Sequence, residues 1–309
     1  MNGKICLVTG ATNGIGKATA QALARMGATV VIVGRNASKT AQIVKEIRTA
    51  SGNKNVDSLL ADLSSQQEVR RLAMEFQSKY SHLHVLLNNA GAVFMKRQLS
   101  VDGIEMTFAL NHLAYFLLTN LLLDTLKASA PARIINVSSG AHTSGKIEFD
   151  NLQGEQVYSP RVYENSKLAN ILFTRELARR LEGTGVTVNA LHPGFTATGF
   201  AKNNGKPMAA LVSIFSPLVA RSPAKGAETS IYLASSPSVE GVTGKYFYDA
   251  HAIPVAPQAT DMVLAQKLWD ISAKLVQRGD RLPAKTSPSQ LGHVKTAENL
   301  AQAEQLLRK

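Results

Sequence analysis

Short apolar runs, rich in valine, isoleucine and leucine, alternate along this chain with stretches whose apolar residues return every three or four positions. The runs are KICLVTG (4–10), TVVIVGR (29–35), VDSLLADL (56–63), HVLLNNAG (84–91), RIINVSS (133–139), VTVNALHPG (186–194) and GKYFY (244–248). Helical stretches lie between them, such as GKATAQALARMG (16–27) and SKLANILFTRELARRLEG (166–183). In the second, Leu168, Ile171, Leu172 and Leu177 follow a helical period. Gly27 and Gly183 sit where such helices would stop. Apolar strands separated by helices predict a parallel sheet covered on both faces. No linker or repeat interrupts the pattern before residue 278, so 1–278 reads as a single α/β domain of about seven strands. Residues 279–309 turn polar, with Pro, Ser and Gly, and close on the weakly amphipathic VKTAENLAQAEQLLRK. They are expected to form a polar tail, helical or partly disordered.

Composition narrows the class. Apolar residues make up 45% of the chain and charged residues 18%, as in soluble globular proteins. The single cysteine, Cys6, excludes a disulfide framework and a cysteine metal site, and fits a reducing compartment. The opening MNGKICLVTG enters a strand directly with no signal-peptide pattern, and no run of about 18 apolar residues could span a bilayer. A cytoplasmic protein is therefore expected. The net charge of +12 is scattered rather than gathered in a basic arm. It favours an anionic cofactor, or peripheral contact with a membrane surface, over nucleic acid. The seven histidines form no metal-binding pattern.

The stretch LVTGATNGIGKATA places Gly10, Gly14 and Gly16, with Asn13 and Ile15, between the first strand and the first helix. Glycines there permit a tight turn and close approach of backbone to a pyrophosphate facing the helix N-terminus. An ordinary glycine-rich turn is the alternative, but the strand–turn–helix context is the one a dinucleotide site requires. The second strand ends in Arg35 and Asn36, with no acid to meet a ribose 2′-hydroxyl. A guanidinium suits a 2′-phosphate, which points to NADP(H); a solvated arginine at a strand end is the other reading. Asp62 and Leu63 follow the third strand, with Asp62 placed to accept from an adenine amino group. NNAG follows the fourth, with Asn88 to Gly91 (Asn89, Ala90 and Gly91 among them) on the cofactor side; either feature alone could be polar punctuation at a strand end.

Tyr163 and Lys167 are four apart in VYENSKLANI, so they share one helical face. By spacing alone they could be a surface pair. Taken together, however, TGxxxGxG at 9–16, Asp62, NNAG at 88–91, Asn111 in FALNHLAYFLLTNLLL, Ser139 in INVSS, YENSK at 163–167 and PGFTAT at 193–198 occur in one order over almost all of 1–250. In that combination the chain resembles the short-chain dehydrogenase/reductase family. NHLAYFLLTNLLL, RIINVSSGAH, SKLANILFTRELARRL and KLWDIS (267–272), with a long insertion before Tyr163, resemble its retinol-dehydrogenase-like branch.

The resemblance implies a Rossmann-type doubly wound sheet and a set of roles. Tyr163 would be the acid in carbonyl reduction and the base in alcohol oxidation. Lys167 would favour the phenolate by its charge and bind the cofactor ribose. Ser139 would donate to the substrate oxygen. Its rival Ser138 would face away by strand alternation, and Tyr158 is a rival acid without a following ammonium. Asn111 would hold a water that relays protons from Lys167, or simply distort its helix. Pro193 and Gly194 would turn the chain across the nicotinamide, with Thr196 and Thr198 at its carboxamide or a phosphate. The apolar stretch 206–223 would be either a lid over a lipophilic carbonyl or alcohol substrate (a retinoid, steroid-like ketone or hydrophobic aldehyde) or a packing helix. Helices 113–126 and 164–182 would pair subunits into a homo-oligomer. Two other functions compete: a protochlorophyllide-reductase-like enzyme, disfavoured by the single cysteine, and a non-catalytic NADP(H)-sensing module.

Overall fold

The computed structural model describes residues 1–159, 161–195 and 221–278; Thr196, Thr198, the stretch 206–220 and the tail 279–309 lie outside the described residues. The apolar runs form one sheet. β1 (Ile5–Thr9), β2 (Thr29–Gly34), β3 (Val56–Leu60), β4 (Val85–Asn88), β5 (Ala132–Val137), β6 (Val186–Leu191) and β7 (Tyr246–Tyr248) are parallel. β8 (His251–Ile253) joins β7 antiparallel. The order β3-β2-β1-β4-β5-β6-β7-β8 is doubly wound, and it reverses direction between β1 and β4.

The sheet thus has eight strands where about seven were expected. HAI is only three residues long, and the turn before it carries no Asn-Gly or Asp-Gly signal. Asp249 and Ala250 nonetheless take positive φ (46° and 63°), the conformation a two-residue hairpin needs at both centres.

Strand residues alternate between two cores. Cys6, Val8, Val30 and Ile32 pack beneath α1 (Gly14–Arg25), α2 (Ala37–Ser51) and α8 (Pro223–Ser235). Leu7, Val31, Val33 and Leu86 face α3 (Gln66–Lys79), α5 (Ala114–Leu121), α7 (Arg161–Arg180) and α9 (Met262–Arg278). Short α4 (Met106–Phe108) leads into α5 through a π turn (Ala109–Leu113), and α6 (Leu123–Ala128) follows. Gly27 and Gly183 adopt positive φ (83° and 75°) just past α1 and α7, as their placement predicted.

The helix pair expected to join subunits is instead covered by the chain's own α9. Trp269 meets the rings of Phe116 and Phe173 at 4.8 and 5.7 Å, and the Arg180 guanidinium stacks on Trp269 at 4.1 Å. Glu176, 1% exposed, accepts from Arg179 and Arg180 and ties the end of α7 together. Among the described residues no helix is long and apolar enough to cross a membrane.

Candidate active site

The cleft at the C-terminal ends of β1 and β4 is shaped by glycine. A Cβ on Gly10, which has φ +63°, would lie 2.7 Å from Ala90 Cα. One on Gly16 would lie 2.5 Å from Asn89 Nδ2 and 2.6 Å from the Gly10 carbonyl. The approach is fixed by a clip: Asn89 Nδ2 donates to the carbonyls of Thr9 (2.8 Å) and Gly10 (3.2 Å), while Thr9 Oγ1 accepts from the amides of Asn89 and Ala90. Asn13, extended and exposed ahead of α1, makes no side-chain cap bond, and the first turn carries no acid. Its amides and the bare glycine backbone suit a pyrophosphate, so the chain fits a dinucleotide here. Ile15 is buried behind the turn.

The other expected cofactor residues divide. Arg35 is exposed just past β2. Asn36 Oδ1 accepts from Lys39 N and Ser38 Oγ, so this carboxamide caps α2. Exposed Asp62 accepts from the amide and hydroxyl of Ser64 in the turn leading to α3. The side chain of Leu63 belongs to the core. Pro193 and Gly194 follow β6, and the Gly194 amide donates to His192 Nδ1 (3.3 Å).

α7 begins at Arg161, so 162–171 is helical as expected, with Tyr163 in the first turn and Lys167 one turn on. Ser139, at the end of β5, hydrogen-bonds Tyr163 through its hydroxyl. Ser138 turns away, as alternation predicted, and its hydroxyl donates to the Lys167 carbonyl at 2.7 Å. Tyr158 is not placed as an acid: its hydroxyl donates to the Phe94 carbonyl at 2.7 Å. Lys167 Nζ, buried, donates to the Val137 carbonyl (3.0 Å) and stands 5.7 and 5.8 Å from the ring centres of Tyr163 and Tyr115. Gly91 completes the floor; a Cβ there would lie 3.1 Å from Asn111 Oδ1 and 3.5 Å from Lys167 Nζ.

Burial dominates the electrostatics of the Tyr163–Lys167 pair in the protein alone. It pushes Tyr163 up to about 12, and the Ser139 hydrogen bond acts in the other direction. The same enclosure brings Lys167 down to about 7. In the protein alone desolvation outweighs the pairing, because both charged forms lose water together.

Asn111 lies at the centre of the π turn and is fully buried. Its side chain accepts from Ala92 N (2.9 Å) and donates to the Ala92 carbonyl (2.9 Å) and to Ser166 Oγ (3.1 Å). Ser166 Oγ in turn donates to the Tyr163 carbonyl. The Asn111 carbonyl accepts from Asn170 Nδ2 at 2.9 Å. Asn111 therefore distorts its helix and also braces the loop after β4 against the first turn of α7.

Several neighbours escaped the sequence reading. Tyr115 is fully buried beside Lys167. Buried His142 contacts the Ser139 carbonyl. Arg221, paired with Asp249 and Tyr248, lies against Gly194. No motif marks them; the one hint was the Tyr-x-Tyr of β7, whose rings stack on His192.

Known proteins carry the same frame. The family model described as short chain dehydrogenase matches residues 4–209. Retinol dehydrogenase 14 of Homo sapiens is 46% identical over 292 residues, covering 89% of this chain and 87% of that protein. A crystal structure from Mycobacterium paratuberculosis superposes with a TM-score of 0.70 at 33% identity, over 89% of this chain and 94% of that one. The Pseudomonas aeruginosa RhlG/NADP active-site complex superposes with a TM-score of 0.64 at 31% identity, over 80% and 94%. The chain is a short-chain dehydrogenase/reductase of the retinol-dehydrogenase-like branch, and hence an oxidoreductase that uses a nicotinamide cofactor.

Proposed function

We propose that this enzyme interconverts a lipophilic aldehyde or ketone and its alcohol using NADP(H), with a retinoid-like molecule as the substrate class. The observation that carries the reading is the meeting of Ser139, Tyr163 and Lys167 beside the glycine cradle, in a chain 46% identical to a retinol dehydrogenase. When bound, the nicotinamide supplies or takes up the hydride. Gly10, Gly14, Gly16 and the first amides of α1 hold the pyrophosphate. Arg35 would meet the 2′-phosphate, Asp62 the adenine, and Pro193 and Gly194 the nicotinamide end. NADP in the related RhlG complex supports the cofactor choice.

Tyr163 acts as the acid. With its phenol pushed up to about 12 by burial, it carries its proton at neutral pH in the protein alone, and as phenolate it would be the base in the reverse oxidation. Ser139 donates to the substrate oxygen as charge develops there. Lys167 binds the ribose hydroxyls and, with its ammonium near 7, returns a proton to Tyr163. Asn111 holds the water that connects Lys167 to solvent. The single, buried thiol of Cys6 suits a reducing compartment such as the cytoplasm, and the net charge of +12 suits peripheral contact with an anionic membrane surface. We assign any homo-oligomer to surfaces other than α5 and α7.

The test is NADPH consumption in the dark with all-trans-retinal, a steroid ketone and aldehydes of increasing length, each repeated with NADH. Turnover that rises with substrate length and prefers NADPH is expected. A protein that binds NADPH yet reduces nothing in the panel overturns the proposed substrate class.

A further inference from the structure

The hydroxyl of Ser139 is useful only if its backbone is held still, and the structure holds that backbone through an imidazole. Ser139 caps a short 3-10 turn, Gly140–Ser144, and His142 lies within it, 3% exposed. His142 Nδ1 is 2.8 Å from the Ser139 carbonyl, which also takes the His142 amide at 3.1 Å. A carbonyl can only accept, so Nδ1 carries the proton. His142 Nε2 is 3.2 Å from the amide of Ala256, which can only donate, so Nε2 carries the lone pair. Both contacts require the same neutral tautomer. Burial holds the imidazole below its ordinary value, in keeping with that state.

The connection between β8 and α9 grips the same turn a second time. Gln258 Nε2 donates to the carbonyls of Thr143 (3.0 Å) and Gly145 (3.2 Å). The ring of His142 stands edge-on to Tyr246 of β7 at 4.9 Å, and Tyr246 stacks on His192 at 5.6 Å. An apolar side chain of similar size would fill this space but would leave the Ala256 amide without its acceptor. It would also leave the Ser139 carbonyl without its side-chain donor.

We infer that His142 is a positioning residue for Ser139: a neutral Nδ1–H imidazole that bridges the Ser139 carbonyl to the Ala256 amide and so couples the catalytic turn to the β8–α9 connection. The inference rests on the proposed role of Ser139. His142 touches the serine's carbonyl rather than its hydroxyl, so it acts through Ser139 and not on the substrate.

The experiment compares His142→Leu, His142→Asn and Tyr163→Phe with wild type, using NADPH and an aldehyde that wild type reduces. The Asn amide can replace the Nδ1 donor, whereas Leu cannot. Misplacement of a reacting group by about 1 Å costs about 100-fold. His142→Leu should therefore lose about 10- to 100-fold in kcat with NADPH affinity unchanged, and His142→Asn should recover most of that loss. A readout independent of turnover is the 15N NMR signature of His142 in the wild-type protein at neutral pH, which should be that of a neutral ring protonated at Nδ1. A ring protonated at Nε2, or a charged ring, overturns the inference even if no variant folds. Leu and Asn variants with wild-type kcat overturn it while leaving the enzymatic reading intact, provided Tyr163→Phe is inactive. Absence of turnover in wild type, with the Nδ1–H signature present, removes the proposed reaction and leaves the bridge standing.

Discussion

Lys167 should make this protein less stable, and the cost should depend on pH in a defined direction. Its ammonium is buried, donates to one backbone carbonyl and sits between two aromatic rings, with burial lowering it from 10.5 to about 7. One pH unit of displacement corresponds to about 1.4 kcal/mol, so holding the charge there costs the fold about 5 kcal/mol as an upper figure. Below about pH 7 the lysine is protonated in both folded and unfolded chains, and the whole penalty applies. Between about 7 and 10.5 the unfolded chain binds the extra proton, so wild-type stability rises with pH. Lys167→Met removes the charge but leaves the Val137 carbonyl without this donor, which offsets about 1–3 kcal/mol. The variant should thus be more stable than wild type at pH 6 by at most about 2–4 kcal/mol. That advantage should shrink by roughly 2 kcal/mol between pH 7 and 9. Urea unfolding of both proteins at pH 6, 7, 8 and 9 measures the difference, which isolates this residue because the other titrating groups are common to both. A difference independent of pH, or one that grows with pH, would show that the ammonium is not desolvated and would refute the reasoning.

Three further outcomes are expected. Tyr163→Phe should lower kcat by about 10²- to 10⁴-fold while leaving NADPH affinity near wild type; stopped-flow turnover with a separate fluorescence titration distinguishes the two effects. Arg35→Ala should remove most of the preference for NADPH over NADH, about ten- to a hundredfold if one charge-assisted contact to the 2′-phosphate is lost, as read from Kd values for both cofactors. Gly10→Ala should lose cofactor binding and lower the melting temperature, because its Cβ would sit 2.7 Å from Ala90 Cα at a positive φ; normal binding in a folded variant would show that β1 and β4 can separate there.

What the sequence could reveal was set by how local each constraint is. Gly10 and Gly16 were legible because close backbone approach admits no side chain. The roles of Ser139, Tyr163 and Lys167 came from the family resemblance; strand alternation, which turns Ser138 away, and helical pitch, which puts Tyr163 and Lys167 on one face, agreed with it but could not have carried it alone. What escaped depends on distant partners. His142 meets Ala256 across 114 positions, and Asn170 meets the Asn111 carbonyl across 59. Nothing in KLWDIS says that Trp269 will lie on Phe116 and close the face on which subunits were expected to pair. The upward push that burial exerts on the Tyr163 phenol was not legible, because spacing reveals a neighbouring charge but not the water that both groups lose.

The interior behind the site is organised by polar bonds where apolar packing would do for stability alone. Asn88 Nδ2 donates to Thr119 Oγ1 (3.0 Å) and to Asn136 Oδ1 (2.9 Å), and Asn136 Nδ2 donates to Thr174 Oγ1 (3.0 Å). Thr174 Oγ1 donates to the Asn170 carbonyl (2.7 Å), and Asn170 Nδ2 reaches the Asn111 carbonyl. All of these residues are buried. Apolar side chains can slide by a rotamer at little cost, whereas a buried amide that loses its partner carries the full desolvation penalty. The chain of bonds therefore fixes β4, β5, α7 and the π turn in one register. Those are the elements that deliver Gly91, Ser139, Tyr163, Lys167 and Asn111 to the cleft. A larger apolar core could have held the same elements together, but it would not have specified their relative positions to the fraction of an ångström that proton transfer requires.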